Sequence, residues 1–100
     1  MSDEAPATQD GVIRRVLEIV NKKGLHARAS AKFVQTVEKF DAQVTVTRGS
    51  ETVGGTSIMG LMMLSAGTGS EITVDAHGKQ AADVMEALVQ LVAEGFGEED

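Results

Sequence analysis

From Val12 to Val20 the chain reads V-I-R-R-V-L-E-I-V, a run rich in β-branched residues. Leu17 and Ile19 flank Glu18, and this period-two alternation predicts a strand with those two side chains inward, although Val16 and Val20 are apolar too. A polar turn follows, Asn21-Lys22-Lys23-Gly24. Beyond it the spacing changes. Ala29, Ser30, Phe33, Val34, Val37 and Phe40 recur at intervals of three and four, which predicts a helix from His26 to Phe40 with Phe33, Val34 and Val37 as its apolar stripe. Asp41 breaks the run.

Val44-Thr45-Val46-Thr47 alternates again and predicts a half-buried strand, and Gly49-Ser50 suits a type II′ turn into a short return strand, Glu51 to Val53. Ser57 is a preferred N-cap for a short helix from Ile58 to Leu64, with Leu61 and Leu64 facing the core. Gly67 and Gly69 close that helix. Glu71 to Ala76 alternates as a fourth strand. A last helix is predicted from Lys79 to Glu94, with Ala81, Val84, Met85, Leu88, Leu91 and Val92 inward and Asp83, Glu86 and Gln90 in water; Gly95 stops it. The order βαββαβα, with no repeat and no linker, predicts an α+β fold. We expect a two-layer open-faced β-sandwich, a four-stranded antiparallel sheet covered on one face by three helices. Residues 1–10 read as a flexible tail, residues 11–97 as one domain, and residues 98–100 as a frayed acidic end.

Composition narrows the function. The 100 residues carry a formal charge of −6, which argues against nucleic-acid binding, and no apolar run approaches the roughly 20 residues that cross a bilayer. Cysteine is absent, so disulfides and thiolate chemistry are excluded. The first ten residues are acidic and polar, unlike a signal peptide, and a cytoplasmic location is expected. No G-x-x-x-x-G-K-[ST] loop is present, so a stand-alone nucleotide-using enzyme is not expected.

Two histidines, His26 and His77, have no evident third ligand partner, so no metal site is expected. His77 precedes Gly78 and reads as a turn residue. His26 opens a helix, where free N–H groups and the helix dipole favour an anion, and Arg28 can add a guanidinium fork for phosphate oxygens. A nucleophilic nitrogen, an anion-binding helix start and an arginine form a coherent phosphoryl-accepting set. An exposed capping histidine has the same spacing.

Gly24-Leu25-His26-Ala27-Arg28-Ala29-Ser30 resembles the signature of the histidine-containing phosphocarrier family (HPr) of the phosphotransferase system. Thr56-Ser57-Ile58-Met59-Gly60-Leu61-Met62-Met63-Leu64 resembles its second signature, and His26 and Ser57 lie 31 residues apart, as in that family. The resemblance covers about residues 12 to 95. It implies that His26 accepts a phosphoryl group from Enzyme I through Nδ1 and donates it to an EIIA-type protein. Arg28 would clamp the phosphoryl oxygens, with support from the N–H groups of Ala27 and Arg28. The resemblance also implies that Ser57 is a regulatory site for an HPr kinase/phosphorylase where the organism has one. Ile58, Met59 and Met62 would form an apolar partner-binding patch near His26. No cofactor is implied, and the chain is expected to act as a monomer.

Three departures stand out. Ala29 occupies a position where many relatives have proline, but alanine suits a helix's first turn and keeps its N–H. Thr56 stands where many carry lysine, which weakens the case for a standard kinase encounter. Gly49-Ser50 replaces an Asn-Gly turn. Two alternatives are a carrier of a nitrogen-related regulatory branch, towards which Phe40-Asp41-Ala42 and the acidic end point, and a purely regulatory, Ser-phosphorylated binding module. His26 together with Arg28 argues against the second.

Overall fold

A computed structural model describes residues 11–98. The predicted tail, residues 1–10, and the last two residues lie outside them. The elements are β1 (Ile13–Glu18), α1 (Ala27–Val37), β2 (Gln43–Arg48), β3 (Glu51–Gly54), α2 (Ile58–Met63), β4 (Glu71–His77), α3 (Ala81–Ala93) and a final 3₁₀ turn (Gly95–Gly97). All strand pairs are antiparallel, in the order β1-β4-β2-β3. This is the expected open-faced sandwich, with the helices on one face. No helix among the described residues is long and apolar enough to cross a membrane.

The alternation in β1 resolves as the sequence suggests. Leu17 and Ile19 are buried, whereas Val16 and Val20 are exposed. Register carries that phase across the sheet: Leu17 lies opposite Ile72 and Val46 opposite Val74, so the inward side chains stack under the helices. On the open face Arg14 pairs with Asp75 at 2.6 Å, and the Thr47 and Thr52 hydroxyls meet at 2.8 Å. Only Gly49 of the Gly49-Ser50 pair has a positive φ, as a type II′ turn requires.

Phe33 and Val34 from α1, Leu61 from α2 and Val84, Leu88 and Val92 from α3 close the core over the sheet. Leu91, expected in the stripe, is half-buried at its rim. The helices are shorter than their apolar periods suggest. Past Val37 the backbone tightens into i→i+3 bonds, Lys39 N–H to Thr36 O and Phe40 N–H to Val37 O, so Phe40 packs from a turn rather than a helix. The last helix starts at Ala81 because Gln80 is held by the connection between α1 and β2: its N–H donates to Asp41 O and its Oε1 accepts from Asp41 N–H.

The C-terminal boundary differs most. Gly95, Phe96 and Gly97 all have φ between 59° and 73° and turn the chain back over α1. A left-handed backbone costs a non-glycine residue about 1–2 kcal/mol. Full burial of a phenylalanine side chain returns about 1.5–3 kcal/mol, and Phe96 is 1% exposed. Lys32 Nζ adds a 2.7 Å bond to Phe96 O. Glu98, expected in a frayed end, is therefore delivered to a defined place.

Candidate functional site

The turn Asn21–Gly24 sets up the site. Gly24 N–H donates to Asn21 O at 3.2 Å, and Leu25 N–H donates to Ala66 O at 2.9 Å, which ties the turn to the segment after α2. Buried Leu25 then points the chain into α1 with His26 as its N-cap. His26 makes no side-chain capping bond, so its imidazole is free for other use. Ser30, buried in the first turn, donates to Leu25 O at 3.2 Å and fixes this entry. The N–H groups of Ala27, Arg28 and Ala29 occupy the first turn and have no intrahelical partner.

His26 Nε2 contacts Glu98 Oε2. The other carboxylate oxygen, Oε1, accepts from Asn21 Nδ2 at 3.0 Å, and the same amide donates to Gly24 O at 2.9 Å. Asn21 is thus turned donor-first towards two acceptors. Its buried Oδ1 finds no partner among the described residues. Such a group costs about 1–3 kcal/mol, which the two donor bonds and the turn must offset. His26 Nδ1 has no partner among the described residues.

An open pocket of about 900 Å³ surrounds the imidazole, lined by Lys23, His26, Ala27, Arg28, Lys32, Gly97 and Glu98. Three cations converge there in a chain of net charge −6. The Arg28 guanidinium is exposed and makes no hydrogen bond or ion pair among the described residues, so it is available to an anion. His26, Ala27 and Arg28 come together as the sequence suggests.

Ser57 is placed elsewhere. It caps α2, its Oγ accepting from Gly60 N–H at 2.9 Å, a bond of a kind worth about 1 kcal/mol, and it is exposed. Ile58, Met59 and Met62 are exposed, while Leu61 and Leu64 are buried. Met63 adds to the exposed apolar surface. None of these residues lines the pocket around His26.

Sequence reasoning missed Asn21, Lys32 and Glu98. Asn21 reads as an ordinary turn residue and Lys32 as a solvated helix position. The signal for Glu98 was the Gly95-Phe96-Gly97 triplet, two glycines bracketing an apolar side chain that needs burial.

Burial by itself pushes the Glu98 carboxyl up. Hydrogen bonds from Asn21 and His26, with the charges of His26 and Lys23, outweigh it and hold the group below its ordinary value of about 4.5. A depressed carboxyl stabilises the fold fully above that ordinary value, and the contribution is lost as pH falls below it. In melting curves taken from pH 7 downward, the native chain is expected to be more stable than a Glu98→Gln variant at neutral pH. The two should converge below about pH 4.5. A constant difference across that range would show that the carboxylate charge contributes nothing.

Comparisons with known proteins show the family of the chain. The family model described as the PTS HPr component phosphorylation site matches residues 13–94. The phosphocarrier protein HPr of Neisseria meningitidis is 47% identical over 87 residues, 87% of this chain and 98% of the relative. The phosphocarrier protein NPr of Shewanella violacea is 37% identical over 86 residues, 86% of this chain and 94% of the relative. Among solved structures, HPr-C-His from Thermoanaerobacter tengcongensis superposes with a TM-score of 0.82 at 41% identity, covering 87% of this chain and 98% of that one.

Proposed function

Since the chain belongs to the HPr family of phosphotransferase-system phosphocarriers, we propose that it takes a phosphoryl group from phospho-Enzyme I on His26 Nδ1 and passes it to an EIIA-type acceptor. The observation that carries this reading is the imidazole itself. Nε2 is occupied by Glu98, and Nδ1 has no partner among the described residues and faces a pocket lined by Lys23, Arg28 and Lys32. With the proton on Nε2, Nδ1 holds the lone pair that attacks phosphorus. The N–P bond forms as the bond to the donor breaks, and that electron pair leaves with the donor. The N–H groups of Ala27 and Arg28 are held in place by the helix start and need no reorganisation during transfer, and the Arg28 guanidinium adds a charged fork for the phosphoryl oxygens. The reverse sequence hands the group on. The chain acts as a monomer and a covalent intermediate, and is not itself an enzyme.

Exposed Ile58, Met59 and Met62 serve as the docking surface, since pliable side chains suit several partners. Ser57, exposed at a helix start, is the site for an HPr kinase/phosphorylase, and phosphate there adds negative charge beside that surface. The alternative acceptor, in a nitrogen-related branch, draws support from the 37% identical NPr, against 47% for the HPr relative.

Intact mass after incubation with Enzyme I and phosphoenolpyruvate tests the reading. A gain of one phosphoryl group that is acid-labile and alkali-stable is expected. Transfer from the labelled chain to sugar-type and nitrogen-type EIIA proteins then separates the two branches. No mass gain with a competent Enzyme I would overturn the carrier role.

A further inference from the structure

Resting on the carrier reading, we infer that Glu98 is a positioning residue which holds the proton on His26 Nε2 throughout phosphoryl transfer. Three observations support this. The carboxylate meets Nε2 and not Nδ1. Its second oxygen is fixed by Asn21, a buried amide turned wholly towards it and Gly24 O. The backbone that delivers it is anchored by buried Phe96 and by the Lys32 bond to Phe96 O. Nothing here resembles a loosely attached tail.

The chemistry follows from charge balance. A neutral imidazole carries its single proton on one nitrogen, and the bond made at one nitrogen selects the tautomer at the other. A carboxylate at Nε2 can only accept, so the proton stays there and Nδ1 keeps its lone pair. When Nδ1 attacks phosphorus the ring becomes cationic, with the proton still on Nε2. Glu98 then faces a positive ring from the side opposite the phosphoryl group. On transfer to the acceptor the N–P bond breaks, its electrons return to Nδ1, and the ring leaves neutral. No proton is gained or lost, which makes the carrier reversible. Lys23 from the turn, Arg28 and Lys32 from α1 and Glu98 itself are the charged groups that line the pocket among the described residues, and of these the carboxylate is the one that favours a cationic ring.

Glu98→Gln tests the idea, because glutamine keeps the length and can still accept from Asn21; a melting curve checks that the fold is retained. In the unphosphorylated protein, ¹⁵N shifts of His26 should read as protonated Nε2 and unprotonated Nδ1 in the native chain. The variant should populate the Nδ1–H form. In the phosphorylated protein, transfer to the acceptor should slow about tenfold in the variant. Spontaneous hydrolysis should slow as well, since the cationic ring is the better leaving group. An unchanged tautomer would reduce Glu98 to a tail anchor and overturn the inference. Faster acceptance in the variant would overturn it too, showing that the carboxylate obstructs the incoming phosphate. If the native chain takes no phosphoryl group, the carrier reading fails by itself, and the tautomer measurement still decides the role of Glu98.

Discussion

His26→Ala is expected to abolish phosphoryl acceptance completely while leaving the fold nearly unchanged. The two effects separate because of where the side chain sits. Its ring is 28% exposed, makes no capping bond and, among the described residues, has a single partner, Glu98, whose other oxygen stays with Asn21. A net hydrogen bond contributes only about 0.5–1.5 kcal/mol, so denaturant midpoints should move little. Chemistry has no such redundancy. His77 lies at the end of β4, outside the pocket, and no other imidazole is available. Arg28→Ala is the graded counterpart. That side chain is exposed and unpaired among the described residues, so its removal should change stability by less than about 0.5 kcal/mol. Loss of this charged donor to the phosphoryl oxygens should nevertheless slow acceptance about a hundredfold. Lysine at position 28 should restore only part of the rate, because a point charge lacks the planar fork. A residual full-rate label on the His26→Ala chain would move the acceptor elsewhere.

The second large effect concerns stability. Gly24→Ala is expected to cost about 3 kcal/mol or more, a substantial part of the roughly 5–15 kcal/mol that stabilises a domain. Two penalties coincide at this position. Its φ is +66°, where a side chain costs about 1–2 kcal/mol. An added Cβ would also stand 2.4 Å from Ala66 O and 2.8 Å from Gly67 Cα, both backbone atoms that cannot swing aside. Relief requires the turn to lift from the segment after α2, which strains the Leu25 N–H to Ala66 O bond and the Asn21 bond to Gly24 O. Gly49→Ala is the internal control. Its φ is +63°, with nothing within 4 Å of an added Cβ, so it should carry the conformational cost alone. The difference between the two denaturation free energies isolates the steric part. Equal losses would mean that the turn relaxes freely. Because Gly24 immediately precedes Leu25 and His26, the same variant should also accept phosphoryl groups more slowly.

Local chemistry made much of this protein legible before any fold was known. Alternation around Glu18 placed Leu17 and Ile19 inside, since strand side chains point to opposite faces regardless of what lies beyond. Spacings of three and four marked Phe33, Val34 and Val37 as one helical face, and Ser57 announced its helix because its hydroxyl can satisfy an N–H three residues away. His26 and Arg28 were legible for the same reason: a helix start and a residue two positions on are near neighbours in any fold. Local sequence could not say where each helix would tighten into a turn, as after Val37, because loop contacts such as Asp41 with Gln80 compete with the helical period. Nor could it pair Asn21 with Glu98 across 77 positions, or bring Lys32 to Phe96. Those contacts exist because two left-handed glycines and a buried phenylalanine fold the last turn back over α1, and only the assembled core decides where an apolar side chain can hide. Periodicity along the chain was enough to mark the elements and the histidine at a helix start; only tertiary packing could bring Glu98 to Nε2 of that imidazole and leave Nδ1 without a partner among the described residues.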